Sequence, residues 1–485
     1  MKAAELIFIP LAAMGHLVPA VELAKRLVAR DERISITVLV LKLPFDEIES
    51  YIQSLKTNAA IDRGIKFLVL PEPENPIVMS SKRSVKKTVE AYKPLVKQIV
   101  RELIVNRPDS ESQLVRGFVI DMSCVQMMDV ATEHNLPCYV FFASGAGFLN
   151  FMLHLQSLSD DHGVDVTELK DPNNELDIPG FRNRVPFKVL PTLVWDKEFG
   201  CSYLLELARG YRKAKGIIIN TFMELESDTL HAVSKGADFP PIYPAGLIIN
   251  VNPQSDGRAD GTDGTRDSIV RWLDDQPPAS VVFLCFGSMG SMGVDQMREV
   301  ADGLEQSGHR FVWALRRPSS GGGKLGLRDY ENFEDVLPAG FLDRTAGIGR
   351  VVGWAPQAAI LSHRATGAFV SHCGWNSTLE SLWCGVPIAA WPMYAEQQLN
   401  AFSLVRELGL AVEIRLDYVW DRWTQSSNVL VKADELEKGI RQVMDAESVV
   451  RKKAKTMREV SRMAMVEGGS SYTWLGHFVE DVLRT

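Results

Sequence analysis

The chain has 485 residues, 46% of them hydrophobic and 24% charged, with a formal net charge of −8. That length exceeds one ordinary hydrophobic core, so about two domains are expected. The acidic balance and the lack of a basic run that would track a phosphate backbone argue against a nucleic-acid partner. No stretch reaches the ~18 uninterrupted apolar residues of a membrane span.

In chain order, short apolar runs alternate with longer helical patterns, the mark of parallel α/β domains. Residues 6–13 have the apolarity of a signal-peptide core. The run is short, is interrupted by Pro10 and leads into an amphipathic helix at 21–29, so it reads as a first buried strand. The strand candidates of the first half are 6–10, 34–41, 65–70, 117–121 and 137–142, with a sixth at 216–221 after an insertion. Residues 252–268 are rich in Gly, Asp and Ser without apolar periodicity and read as a linker. The pattern then restarts at 281–286, 311–315, 350–354, 368–372 and 386–391. Residues 319–335 read as a surface loop, and Glu467-Gly468-Gly469-Ser470 breaks the helical pattern before a last helical segment. These features predict two Rossmann-like domains facing a cleft, 1–251 and 269–466, with residues 467–485 as a terminal helix. The six cysteines are scattered and include no Cys-x-x-Cys pair, which favours reduced thiols in a reducing compartment such as the cytosol.

In a doubly wound sheet of order 3-2-1-4-5, strands one and four are neighbours and the crevice opens at their carboxyl ends. In the first half, strand one runs into Met14-Gly15-His16 and strand four ends at Asp121. The topology therefore predicts that His16 and Asp121 lie close together. A carboxylate beside an imidazole fixes its tautomer and stabilises the imidazolium, which makes a base for a hydroxyl proton. The plainer alternatives are that His16 is an entry-loop residue before a helix starting near Pro19, and that Asp121 is a helix cap.

The same rule applied to the second half brings Phe286-Gly287-Ser288 beside Ser371-His372-Cys373-Gly374. A helix at 377–383 follows, and its N-terminal amides and dipole suit an anion. Ser288, His372, Asn376 and Ser377 carry donors for a diphosphate. Glu380 has two readings: the carboxylate of a capping box opened by Ser377, or a grip on ribose hydroxyls. Trp354 is either core or a face for a uracil. Glu396 and Gln397 either bind sugar hydroxyls or simply start the next helix.

Taken together, residues 354–397 resemble, over the full 44 positions, the signature box of the plant secondary-product UDP-glycosyltransferases. The landmarks are Trp354-Ala355-Pro356-Gln357, His372-Cys373-Gly374-Trp375-Asn376-Ser377, Glu380, Pro392 and Glu396-Gln397. Met14-Gly15-His16-Leu17-Val18-Pro19, Trp272-Leu273-Asp274, Phe286-Gly287-Ser288, Leu337-Pro338 and Gly340-Phe341 extend the likeness over nearly the whole chain.

The resemblance implies a GT-B fold and an inverting enzyme needing neither metal nor cofactor, with UDP-glucose as co-substrate. It implies that His16 deprotonates an acceptor hydroxyl and that Asp121 supports it. Trp354 would stack on the uracil beside Ala355 and Gln357, and Glu380 would hold the ribose. Ser288, His372, Asn376 and Ser377 would hold the diphosphate, and Trp375, Glu396 and Gln397 the sugar. Gln at the last box position goes with glucose in similar families. The sequence has no Asp-x-Asp motif of the kind that holds a divalent ion on a diphosphate.

The acceptor, a flavonoid, another phenolic or a terpenoid, would meet an apolar wall drawn from Met14, Met122, Phe148, Phe199, Leu204 and Tyr394, with Ser144 in the same pocket. A cytoplasmic monomer is expected. Three other readings are weaker. A nicotinamide-dependent oxidoreductase needs a G-x-G-x-x-G turn, and the first turn here holds only Gly15. A serine hydrolase needs G-x-S-x-G, and Phe286 occupies its first position around Ser288. A non-catalytic nucleotide-sugar binder would keep the box but need no His16–Asp121 pair.

Overall fold

The computed structural model describes residues 4–43, 46–56, 64–74, 77, 83–105, 114–168, 174–235, 239–250, 264–318, 326–421 and 423–484. The chain forms two compact units. The first takes Met1–Thr167, Asp196–Asn250 and Met463–Thr485; the second takes Glu168–Trp195 and Val251–Arg462. The contiguous first domain expected over 1–251 therefore differs from what is seen, because 168–195 folds with the second unit.

The first unit holds a seven-stranded sheet. Its strands are β1 (Ala4–Ile9), β2 (Ile34–Val40), β3 (Ile65–Val69), β4 (Leu114–Asp121), β5 (Cys138–Phe142), β6 (Gly216–Ile219) and β7 (Ile242–Pro244), in spatial order 3-2-1-4-5-6-7. Every pairing is parallel. β1 is buried along its whole length, which is why it reads as an unbroken apolar run. β3, at the edge, has exposed positions at Lys66 and Leu68. Each expected strand forms, with its ends moved by up to three residues.

Among the described residues, seven α-helices of this unit precede the second half: α1 (Met14–Arg30), α2 (Asp46–Lys56), α3 (Ser84–Val105), α4 (Met128–Glu133), α5 (Ala146–Asp160), α6 (Gly200–Lys213) and α7 (Met223–Ser234). α1 starts five residues before Pro19, so the expected start there is corrected and the proline sits inside the helix. The start is set by Ala13 in extended conformation, and the buried stripe Leu17, Ala20, Val21, Ala24 and Leu27 carries the helix past the rung that Pro19 removes. The terminal helix Ser470–Arg484 packs on β7 and β4 of this unit. Phe478 stands edge-on to Tyr139 at 5.0 Å and to Tyr243 at 5.4 Å.

The second unit has a six-stranded parallel sheet. Its strands are β8 (Val281–Cys285), β9 (Arg310–Ala314), β10 (Gly349–Val352), β11 (Thr366–Ser371), β12 (Ile388–Ala390) and β13 (Ala411–Glu413), in spatial order 10-9-8-11-12-13. Alternate residues of β8 serve opposite faces: Val282 and Leu284 join one core cluster, Val281 and Phe283 the other. The helices are α8 (Thr265–Asp274), α9 (Val294–Ser307), α10 (Phe341–Thr345), α11 (Gln357–Ser362), α12 (Trp375–Cys384), α13 (Gln397–Phe402), α14 (Ala433–Met444) and α15 (Val449–Met465). Two sequence expectations change here. Of the linker, 252–263 lies outside the described residues, while Thr265 to Ser268 are already helical in α8. Of the loop at 319–335, residues 319–325 lie outside the description, and Leu327–Asp329 forms a strand antiparallel to Arg316–Pro318.

The segment 168–195 rests on the helix that carries Gln397. The Glu407 carboxylate accepts from the backbone N–H of Arg182 at 2.7 Å, that of Asn183 at 3.1 Å and the Asn183 amide at 2.8 Å. The single turn Phe187–Val189 packs against α13. Glu407 ends a π-helical turn, Ser403–Glu407, that continues α13. No described helix is long and apolar enough to cross a membrane.

Candidate active site

In the first unit, Ile9 pairs with Ile120, so β1 and β4 end side by side. The loop after β1 enters α1, and His16 is the third residue of that helix. β4 delivers Asp121. The two side chains meet: His16 Nδ1 lies 2.8 Å from Asp121 Oδ2 across 105 residues of sequence. The Asp121 side chain is 1% exposed and that of His16 28%. A carboxylate can only accept, so Nδ1 carries a proton aimed at Asp121, and in the neutral ring the lone pair then lies on Nε2. The other carboxylate oxygen, Oδ1, accepts from the Ser123 N–H at 2.8 Å. Asp121 thus also pins the turn after its own strand; it is not a helix cap, because the next helical turn is capped at Cys124 with no side-chain cap bond.

In the second unit, Cys285 pairs with Ser371, which sets the loops after β8 and β11 side by side. Between them lies the His372 ring. Gly287 (φ +76°) and Gly374 approach it so closely that a Cβ would fall 2.5 Å and 2.6 Å from its Nε2. Burial pushes the His372 pKa down to about 4, and the Cys285 backbone only partly offsets this. The ring is therefore neutral near pH 7, and its Nδ1 is buried without a hydrogen-bond partner among the described residues. Cys373 turns the chain through a left-handed conformation, φ +59°. The Asn400 amide braces that turn by donating to the Cys373 carbonyl at 3.1 Å.

This turn starts α12 two residues earlier than the sequence suggests. Gly374 is the N-cap, in extended conformation and without a side-chain cap. Trp375, Asn376 and Ser377 form the first turn, ahead of the first intrahelical bond from Thr378 to Gly374. The capping-box reading of Ser377 and Glu380 is thereby corrected, because Glu380 lies a full turn too deep to cap. Its carboxylate is held by Gln357 instead, whose amide donates to Glu380 Oε2 at 2.8 Å and to Ser377 Oγ at 2.9 Å. α11, α12 and α13 thus each present box residues at the carboxyl edge of the sheet.

Trp354 follows β10 by two residues and is half-buried, with Ala355 buried beside it. Ser288 follows Gly287 and is half-buried; Trp375 opens α12 at 5% exposure. Ala395 has φ +58°, and Glu396 and Gln397 follow as N-cap and first residue of α13. Gln397 is 4% exposed. Its Oε1 accepts from the backbone N–H of Met393 and of Tyr394, each at 3.0 Å. Because both neighbours are donors, the side-chain oxygen must face them and the amide NH2 must face away.

The acceptor-wall candidates scatter. Met14 opens α1, Met122 follows Asp121, and Ser144 lies buried before α5. Phe148, in the first turn of α5, sits 5.9 Å from Phe142, while Phe199 stacks on Tyr203 at 5.2 Å. Leu204 is buried in α6. Tyr394 belongs to the second unit, on the loop that Gln397 pins. Sequence reasoning missed Asn400 and the buried Glu226, whose carboxylate accepts from the amides of Ala146 and Gly147 at 2.8 and 2.9 Å at the start of α5. Burial raises the Glu226 pKa, and bonds from Thr221 and from the Gly147 and Ala146 amides offset only part of that rise. No local motif marks either residue. Among the described residues no group of three His, Cys, Asp or Glu could hold a metal ion.

The sequence profile of the UDP-glucoronosyl and UDP-glucosyl transferase family matches residues 228–422. UDP-glycosyltransferase 71A15 of Malus domestica is 49% identical, over 99% of this chain and 100% of its own length. UDP-glucose flavonoid 3-O-glucosyltransferase 6 of Fragaria ananassa is 48% identical over 99% of both chains. Among solved structures, a UDP-bound glycosyltransferase of Siraitia grosvenorii superposes with a TM-score of 0.87 at 46% identity, covering 99% of this chain and 100% of the other. The UDP-glucose complex of UGT71G1 from Medicago truncatula gives 0.85 at 40% identity, covering 99% and 98%. Two parallel-sheet units of this kind make a GT-B enzyme. The chain belongs to the plant secondary-product UDP-glycosyltransferases.

Proposed function

We propose that this chain is an inverting glucosyltransferase that moves glucose from UDP-glucose to a hydroxyl of a small plant secondary metabolite, giving a β-O-glucoside and UDP. A flavonoid or other phenolic is the first acceptor class and a terpenoid the second. The observation that carries the reading is the 2.8 Å contact between His16 Nδ1 and the buried Asp121 carboxylate.

With Nδ1–H held by Asp121, Nε2 of His16 takes the acceptor hydroxyl proton as the oxygen attacks the anomeric carbon. The new C–O bond forms on the face opposite UDP, and the bond from that carbon to the β-phosphate oxygen breaks. UDP leaves with the electron pair, so an α-linked donor gives a β-glycoside. Charge grows on the leaving diphosphate, where the α12 N-terminus, Ser288, Asn376, Ser377 and the neutral His372 offer N–H and O–H donors. These donors supply electrophilic support without a divalent ion. Trp354 with Ala355 receives the uracil, and Glu380, oriented by Gln357, receives the ribose hydroxyls. Trp375, Glu396 and the outward amide of Gln397 take the glucose. Met14, Met122, Ser144, Phe148, Phe199, Leu204 and Tyr394 are assigned to the acceptor. All six cysteines are free thiols, none of them exposed, which fits a reducing, cytoplasmic setting; a monomer is part of the proposal.

An acceptor screen with UDP-glucose, read by product mass and linkage, tests the reading. The wild type should glucosylate at least one phenolic or terpenoid, and His16→Ala should lose transfer while still binding UDP. Failure with every hydroxylated acceptor, or full turnover by His16→Ala, would return the chain to a binding role.

A further inference from the structure

The turn that follows Asp121 has its inward N–H groups fully used. Ser123 N–H goes to Asp121 Oδ1 at 2.8 Å, Cys124 N–H to the Asp121 carbonyl at 2.8 Å, and Met122 N–H to the Phe141 carbonyl at 3.0 Å. Two of its carbonyls are gripped from a single helix. On α6, the Tyr211 hydroxyl donates to the Met122 carbonyl at 2.9 Å and the Tyr203 hydroxyl to the Ser123 carbonyl at 3.3 Å. Tyr211 is 0% exposed and Met122 8%, so water does not readily substitute for that hydroxyl. α6 is also seated tightly on the next segment: a Cβ added at Gly210 would fall 2.8 Å from Val125. The Tyr211 ring stands edge-on to Phe142 at 5.6 Å, which fixes the tyrosine from the β5 side.

We propose that Tyr211 is a positioning residue for the His16–Asp121 pair, acting through the Met122 carbonyl on the turn that sets the Asp121 carboxylate. The inference rests on the reading of that pair as the catalytic base and its support. Tyr203 makes the second, longer contact of the same device. Without the Tyr211 hydroxyl, the turn keeps only the longer Tyr203 contact and can shift about the Asp121–Ser123 hydrogen bond. The carboxylate then moves by a few tenths of an ångström against an imidazole it now meets at 2.8 Å. A full ångström of misplacement costs on the order of a hundredfold in rate, so a fraction of one should cost about tenfold. Donor binding is not touched, because neither tyrosine nor the turn they hold is assigned to UDP-glucose, whereas Met122 and Phe199 tie the device to the acceptor side.

The test uses the full chain with UDP-glucose and quercetin as acceptor probe, with acceptor-free UDP-glucose hydrolysis as a second readout. Tyr211→Phe removes only the hydroxyl. The expected result is kcat down about tenfold, KM for UDP-glucose and affinity for UDP within about twofold, and no further loss when the change is made in an Asp121→Asn background. A merely structural tyrosine would lower kcat by the same factor in both backgrounds, which would overturn the inference, as would unchanged kcat in Tyr211→Phe. If Tyr211→Phe does not fold, Tyr203→Phe carries the test, with a smaller loss and the same non-additivity. His16→Ala separates the two ideas: retained turnover there rejects the catalytic pair itself, whereas lost turnover there with an additive Tyr211→Phe rejects only the positioning role.

Discussion

Gln397 has two functions on two atoms, and two substitutions separate them. Its Oε1 accepts two backbone N–H groups, from Met393 and Tyr394, each at 3.0 Å. Met393 is 0% exposed, so its N–H has no water to turn to, whereas half-buried Tyr394 can recover part of its loss. Gln397→Ala should therefore destabilise the protein by about 2–3 kcal/mol, which in a unit of this size lowers Tm by roughly 5–10 °C. Gln397→Glu keeps an acceptor of the same shape toward the loop and should melt close to wild type. Both variants lose the outward amide donor. One hydrogen bond to a sugar hydroxyl is worth about 1–1.5 kcal/mol, so Gln397→Glu should lose about tenfold in kcat/KM for UDP-glucose, and Gln397→Ala more. UDP binding, measured calorimetrically, should persist in both. Thermal melts and initial rates on UDP-glucose suffice. Unchanged turnover by Gln397→Ala refutes the sugar assignment, and an unchanged melt of that variant refutes the loop pin.

Gly287→Ala should weaken UDP binding by at least about tenfold and cost on the order of 1–2 kcal/mol of stability, because φ is +76° and the new methyl would lie 2.5 Å from His372 Nε2; titration calorimetry and urea unfolding check both parts. The His372 pKa, pushed down to about 4 from 6.5, makes the unfolded chain bind a proton that the folded one refuses between those values. Stability from this group is complete above about pH 6.5 and falls as the pH drops toward 4, by on the order of 3 kcal/mol; urea midpoints across that range should show the slope, and His372→Gln should flatten it. Phe478→Ala should cost about 3–5 kcal/mol, since the ring is fully buried between Tyr139 and Tyr243; a thermal melt indistinguishable from wild type would contradict that packing.

The sheets were readable in sequence because strands buried on both faces, such as β1 and β8, leave unbroken apolar runs. β7 and β13 were missed because three residues at a sheet edge make no pattern. The meeting of His16 and Asp121 follows from strand order alone. Other parts of the site depend on contacts that no local pattern encodes. Ser377 to Glu380 has the form of a capping box, yet the left-handed Cys373 starts the helix at Gly374, and the glutamate is taken up by Gln357 from another helix. Tyr211 meets Met122 from 89 residues away, and Asn183 meets Glu407 from 224.

The placement of 168–195 bears on how such enzymes recombine. The chain leaves one unit for the other after Thr167, Trp195, Asn250 and Arg462, so a single crossover at the linker does not exchange a whole unit. A chimera cut there would set one parent's Arg182 and Asn183 against the other parent's Glu407, at the end of the π-helical turn that continues the helix bearing Gln397. Transplanting the donor half intact means carrying 168–195 along as a separate cassette from the same parent.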